Sequence, residues 1–182
     1  MQALKIDAQN KKVETLDIAM SANTVYSFFS SILIDELPSL REHVIYTDVN
    51  ALSEQKEPYF VGEQLLLGDA LILGREDFND TDVKIKAEEL ESLIIKEVNA
   101  FYKRALSTLA QSDANLYRTF TLESRGENIE LNAEWVLYTF NIADERTQEY
   151  FLTELEKVVK SDENVMKFLE KMAGLALKAS QN

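Results

Sequence analysis

Between Tyr59 and Gly74 the chain reads YFVGEQLLLGDALILG, and Gly62, Gly68 and Gly74 cut this apolar stretch into runs too short for a helix. Such runs suit short strands joined by tight turns, because glycine adopts turn conformations that other residues resist. Leu71-Ile72-Leu73, apolar at every position and closed by Gly74, reads as a central strand. A central strand needs partners, and the preceding residues offer them. Ala3 and Lys5 alternate with Leu4 and Ile6, a polar Gln9–Lys12 turn follows, and Val13, Thr15 and Leu16 to Ile18 continue as a second strand, so a β-hairpin is expected. His43 to Val49 is rich in β-branched residues and reads as another strand, and Ala51 to Pro58 as a loop. In between, Asn23 is placed to cap a helix from Thr24 in which Val25, Phe28, Phe29, Ile32, Leu33 and Leu37 share a face, with Pro38 ending it. The expectation for residues 1–80 is a small mixed sheet with one packed helix.

The acidic segment Asp77 to Asp82 reads as a link, and the period changes beyond it. Leu90, Leu93, Ile94, Val98, Phe101, Ala105 and Leu109 recur at helical spacing, which predicts one long helix over 87–110. Glu88, Glu89 and Glu91 fall near its start, where the helix dipole favours acids. Leu116–Glu123 and Ile129–Phe140 read as a hairpin around Arg125-Gly126-Glu127-Asn128. In its second strand Ile129, Leu131, Ala133, Trp135 and Leu137 alternate with Glu130, Asn132 and Glu134. Two helices are expected to finish the chain. One spans 144–160, with Phe151, Leu152 and Leu155 inward; the other is capped by Ser161 and has Val165, Phe168, Leu169, Met172 and Leu175 inward. The predicted class is therefore α+β. A β-rich half (1–80) precedes a helical half with a hairpin (81–182), as two domains or one compact one.

Composition narrows function mainly by subtraction. With no cysteine among 182 residues, thiolate metal sites and cysteine nucleophiles are excluded, and with one histidine, His43, so is any site needing two histidine ligands from one chain. The start of the chain lacks the basic-then-apolar pattern of a signal peptide, and no run of 18 apolar residues is present, so a cytoplasmic protein without a membrane span is expected. The net charge of −13 repels phosphate backbones and anionic lipid, so neither direct nucleic acid binding nor membrane binding is expected.

Pro58-Tyr59-Phe60-Val61-Gly62, followed by Leu67-Gly68-Asp69-Ala70-Leu71-Ile72-Leu73-Gly74, resembles a small bacterial and phage domain of unknown function whose members end in a similar Gly-Asp-apolar-Gly run. The resemblance spans residues 1–78, implies no catalytic residues and does not extend to residues 81–182.

Candidate chemistry is sparse. His43 would have to serve any Ser-His-Asp arrangement, with Asp48 as an acid, but no Gly-x-Ser-x-Gly elbow accompanies it, and an edge or surface histidine is expected. Asp77, Asn79, Asp80 and Asp82 form the one candidate metal loop. Counted from Asp77, Glu88 falls at the twelfth place of a calcium loop, yet Asp82 stands where the sixth requires glycine. The acid groups Asp35/Glu36, Glu88/Glu89/Glu91 and Glu130/Glu134 read as solvated faces. Trp135, Tyr138 and Phe140 would need a positive groove to stack bases, and Arg118 and Arg125 among acids do not provide one. No cofactor is expected. The expected function is non-enzymatic, through association with a protein partner or with a second copy. The alternatives are an acidic regulator or nucleic-acid mimic from a mobile element, and a carboxylate-based enzyme.

Overall fold

The computed structural model describes residues 1–19, 21–29, 32–36, 40, 42–77, 79–95 and 97–180. The chain is an α+β protein made of two units, Met1–Val98 and Asn99–Asn182.

The first unit is built on strands β1 (Gln2–Asp7), β2 (Lys12–Asp17), β3 (Ile32–Glu36), β4 (His43–Asp48), β7 (Ala70–Glu76) and β8 (Asn79–Thr81). They lie in the order β2-β1-β7-β4-β3, with β8 pairing on β7, and β5 (Pro58–Val61), β6 (Gln64–Leu67) and β9 (Ile94–Ile95) make a second sheet, β6-β5-β9. The run Leu71-Ile72-Leu73 does sit centrally, with Ile72 opposite Leu4 on one side and Ile45 on the other. Alternate residues of a strand point to opposite faces, and here both faces are buried. Leu4, Ile6, Ile45 and Ile72 pack on one side with Tyr59, Val61, Leu66, Ile85 and Leu90. Ala3, Val44, Tyr46, Leu71 and Leu73 pack on the other with Ile18 and Val25. Double coverage explains why the Leu71-Ile72-Leu73 run of β7 is apolar at every position instead of alternating.

Gly62 and Gly68 make the tight turns with positive φ (60° and 70°). Gly74 does something else. It does not close β7 but lies within it, opposite His43 and Thr81, and a Cβ there would stand 2.2 Å from the Asp82 carbonyl oxygen. Glycine is required for that backbone approach, not for a turn.

Four expectations for this half are corrected. Every strand pairing is antiparallel, so the sheet is not mixed. The helix expected from Thr24 is α1, only Ala22–Tyr26, and its cap is Ser21, whose side chain accepts the Thr24 N–H, not Asn23. Ile32 and Leu33 belong to β3, where the backbone pairs with β4 (Ile34 opposite Tyr46); pairing with a waiting edge overrides a helical spacing that short runs meet by chance. Leu37 and Pro38 lie outside the described residues. The expected link at Asp77 to Asp82 contains the turn residue Asp77 and the return strand β8 (Asn79–Thr81) of a hairpin with β7, and the units divide between Val98 and Asn99.

The long helix expected over 87–110 is also corrected. Helix α2 spans Ala87–Ser92, β9 follows, and α3 spans Ala100–Leu109. Ile94 and Ile95 are β-branched and pair opposite Val61 and Phe60, while Asn99 accepts the Tyr102 N–H and starts a new helix.

In the second unit β10 (Thr119–Ser124) and β11 (Glu127–Asn132) form the expected hairpin. Its turn residues Arg125 and Gly126 have φ of 54° and 80°, the two positive values of a type I′ turn. The strand expected through Phe140 stops at Asn132, whose side chain accepts the Trp135 N–H at 2.9 Å and caps helix α4 (Ala133–Asn141). Ala133, Val136, Leu137 and Phe140 are its buried residues, a helical period overlapping the alternation read from the sequence. Helices α5 (Glu145–Lys160) and α6 (Val165–Ala179) complete the unit. Ser161 ends α5, and Asn164, accepting the Lys167 N–H, caps α6 in its place. The core centres on the buried ring of Phe151, stacked on Phe140 at 4.5 Å between centroids and flanked by Phe101 and Phe168.

Candidate functional site

His43 opens β4 and is buried, 7% exposed, in place of the edge or surface position expected. Its Nε2 accepts the backbone N–H of Lys84 at 3.1 Å and of Ile85 at 3.2 Å. A ring nitrogen accepts only through a free lone pair, so Nε2 carries no hydrogen and is taken up by two donors. It fastens the segment between β8 and α2 to the sheet. Lys84 reinforces the attachment, reaching Glu76 at 2.8 Å and Glu42 at 3.1 Å. Hydrogen bonds to Glu76 and then Glu42 hold its ammonium above the ordinary lysine value.

The candidate metal loop is spread over separate structural tasks. Asp77 occupies the β7–β8 turn with φ of 47°, and its carbonyl accepts from the Asn79 side chain at 3.2 Å. Asp80 accepts the Tyr46 hydroxyl. Asp82 accepts the backbone N–H of Gln2 at 2.8 Å, tying the segment after β8 to the first strand. Glu88 is exposed on α2. Among the described residues, no group of three or more His, Asp or Glu side chains is placed to hold a metal ion. Glu89, Glu91 and Glu130 are exposed, Glu134 is half-buried, and the side chains of Asp35 and Glu36 lie outside the described residues.

The Tyr46–Asp80 pair escaped the sequence reading. Burial first, then the hydrogen bond to Asp80, pushes the Tyr46 hydroxyl above the ordinary tyrosine value, so it acts as a donor. The two residues are 34 positions apart, and no local pattern marks such a contact.

In the second unit Trp135 and Tyr138 lie on a helix, with Tyr138 exposed, Trp135 half-buried and Phe140 in the core. Burial, then Glu134 and Tyr138 nearby, pushes the Tyr102 hydroxyl up. A groove of about 570 Å³ lies where the loop after α3 meets the α5–α6 turn, lined by Asp113, Arg118, Asp162, Glu163 and Met166. A second, of about 610 Å³, has Phe101 and Leu152 along it and the ion pairs of Arg104 with Glu149 and Glu156 beside it. Hydrogen bonds to Glu156 and then Glu149 raise the Arg104 guanidinium, which engages both acids. Ser112, which also lines the first groove, donates its hydroxyl to the Leu109 carbonyl at 2.8 Å and accepts the Ala114 N–H at 3.2 Å.

Comparison with protein-family models, curated proteins and solved structures finds no match to this chain. The resemblance of residues 1–78 therefore contributes no site residues. Among the described residues, no helix is long and apolar enough to cross a membrane.

Proposed function

We propose that this protein is not an enzyme but acts through protein–protein association, with self-association as the first form to test. One observation carries the reading: the single imidazole of the chain spends its Nε2 on two backbone N–H groups, so that nitrogen is engaged in holding the fold. Asp80 and Asp82 are likewise engaged in holding the fold. The second unit meanwhile leaves large apolar side chains in water, Ile142 at 67% and Tyr150 at 56% exposure. Sedimentation velocity over a wide concentration range tests self-association. Mass that rises with concentration supports it, and a monomer throughout defeats it.

Charge distribution favours a second reading, association with a basic partner. Residues 1–98 hold 19 acids against 9 bases, whereas 99–182 hold 13 against 10. Binding through the first unit would weaken steeply with salt. Salt-independent binding to a basic protein would reject it.

A further inference from the structure

Among the described residues, hairpin β10–β11 is a two-stranded sheet with no third strand on β10. Its closing pair, Ser124 opposite Glu127, flanks a two-residue turn and is hydrogen-bonded, and pairing alternates from there. The N–H and C=O groups of Thr119, Thr121 and Glu123 therefore point away from β11. Among the described residues none bonds to them. Edges like this are usually blunted by lysine, proline or a bulge, and β10, Thr-Phe-Thr-Leu-Glu-Ser, has neither lysine nor proline.

We infer that β10 pairs antiparallel with β10 of a second copy, about a two-fold axis through Thr121, joining two hairpins into a four-stranded sheet. This rests on the self-association reading and gives it a surface. Two observations select the occupant and the register. In the hairpin, Phe120 opposite Leu131 and Leu122 opposite Ile129 share the more buried face, while Thr119, Thr121 and Glu123 are exposed on the other. Centring on Thr121 places outward-pointing groups against outward-pointing groups and sets Phe120 across from Leu122 of the second copy. The apolar row then runs unbroken across both hairpins. A shift by two residues either way sets Leu122 against Arg118, or Phe120 against Ser124. The second observation is charge. Two copies of a −13 chain repel, and the hairpin belongs to the unit that carries only 13 acids against 10 bases. In the inferred register Thr119 faces Glu123, so no like charges stand opposite each other along β10.

The chain has no cysteine, which makes the register directly testable in the full-length protein. Thr121→Cys places each thiol opposite its own copy, at the roughly 5.5 Å Cα spacing of a hydrogen-bonded pair, within disulfide reach. Under mild oxidation it should yield a covalent dimer at least about tenfold faster than Thr119→Cys, whose opposite residue is Glu123. Thr121→Lys sets two like charges face to face and should weaken the dimer by about tenfold or more, although it lowers the overall repulsion; Asn128→Lys, the same charge change on β11, should not. Equal cross-linking of the two cysteine variants, with Thr121→Lys associating like the wild type, overturns the β10 edge while leaving self-association by another surface. A wild type that stays monomeric at every concentration overturns both.

Discussion

Replacing His43 tests whether the imidazole is a structural acceptor. His43→Phe keeps a ring of similar bulk and deletes the acceptor, leaving the N–H groups of Lys84 and Ile85 without it. The Ile85 bond is buried and the Lys84 bond partly so. An unsatisfied buried donor costs about 1–3 kcal/mol, and a partly wet one less, so His43→Phe should lose about 2–4 kcal/mol. That is a large share of the roughly 5–15 kcal/mol that holds a typical domain together. His43→Ala should be worse, since it adds a cavity beside Ile85. His43→Gln offers an amide oxygen to the same donors and should recover part of the loss. The assay must report on the first unit. The only tryptophan, Trp135, lies in the second, so its fluorescence would follow the wrong transition. Amide hydrogen exchange of β4 and β7, followed in urea, reads the right one. If His43→Phe falls within about 0.5 kcal/mol of the wild type, the range of an ordinary surface change, the two-donor argument is wrong.

Gly74→Ala would drive a Cβ against the Asp82 backbone and should cost about 1–3 kcal/mol, read as a lower midpoint for the first unit in the same exchange experiment. Asn132→Ala removes the cap that turns β11 into α4 and should cost about 1 kcal/mol, followed by Trp135 fluorescence in urea. Arg104→Ala breaks two exposed ion pairs and should cost under about 1 kcal/mol; a larger loss in thermal melts would mean that the guanidinium stem packs as part of the core. Asp144 caps α5, and the Thr147 backbone N–H, then its hydroxyl, hold the carboxyl below its ordinary value of 3.8. Its folded form binds a proton less readily than its unfolded form, so the stabilisation is complete above the ordinary value and fades as pH falls through the lower, folded one. The advantage of the wild type over Asp144→Asn should therefore be flat from neutral pH to about 5 and shrink below about 4, measured by thermal melts.

What the sequence disclosed was the punctuation of the first unit and the long amphipathic helices of the second. Gly62 and Gly68 marked real turns, and Leu71-Ile72-Leu73 marked the doubly covered strand, because these signals are local. Runs that satisfy two periods at once misled. Ile32-Leu33 fits a helix begun at Thr24 and also an edge beside β4, and only the presence of β4 decides. Ile94-Ile95 fits a helix from 87 to 110 until β5 offers Phe60 and Val61 as partners. The candidate site was less legible still. His43 and the segment it fastens lie 41 positions apart, and an imidazole accepting from backbone amides has no local sequence signature.

Where the period was ambiguous, asparagine arbitrated. Asn99, Asn132 and Asn164 each accept an N–H three residues on and start α3, α4 and α6. At Asn132 this has a consequence for the hairpin. The residue that ends β11 also begins α4, so no loop separates strand from helix, and Leu131 and Ala133 on either side are both buried. A strand joined this directly to a packed helix has little freedom to twist away or fray, and β10 is held to it along its whole length by the register from Thr119 to Ser124. An isolated two-stranded ribbon is marginal in water. Anchoring one strand to the helical core keeps this one ordered, and it leaves the outer edge of β10 presented in a fixed geometry, which is what pairing with another edge requires.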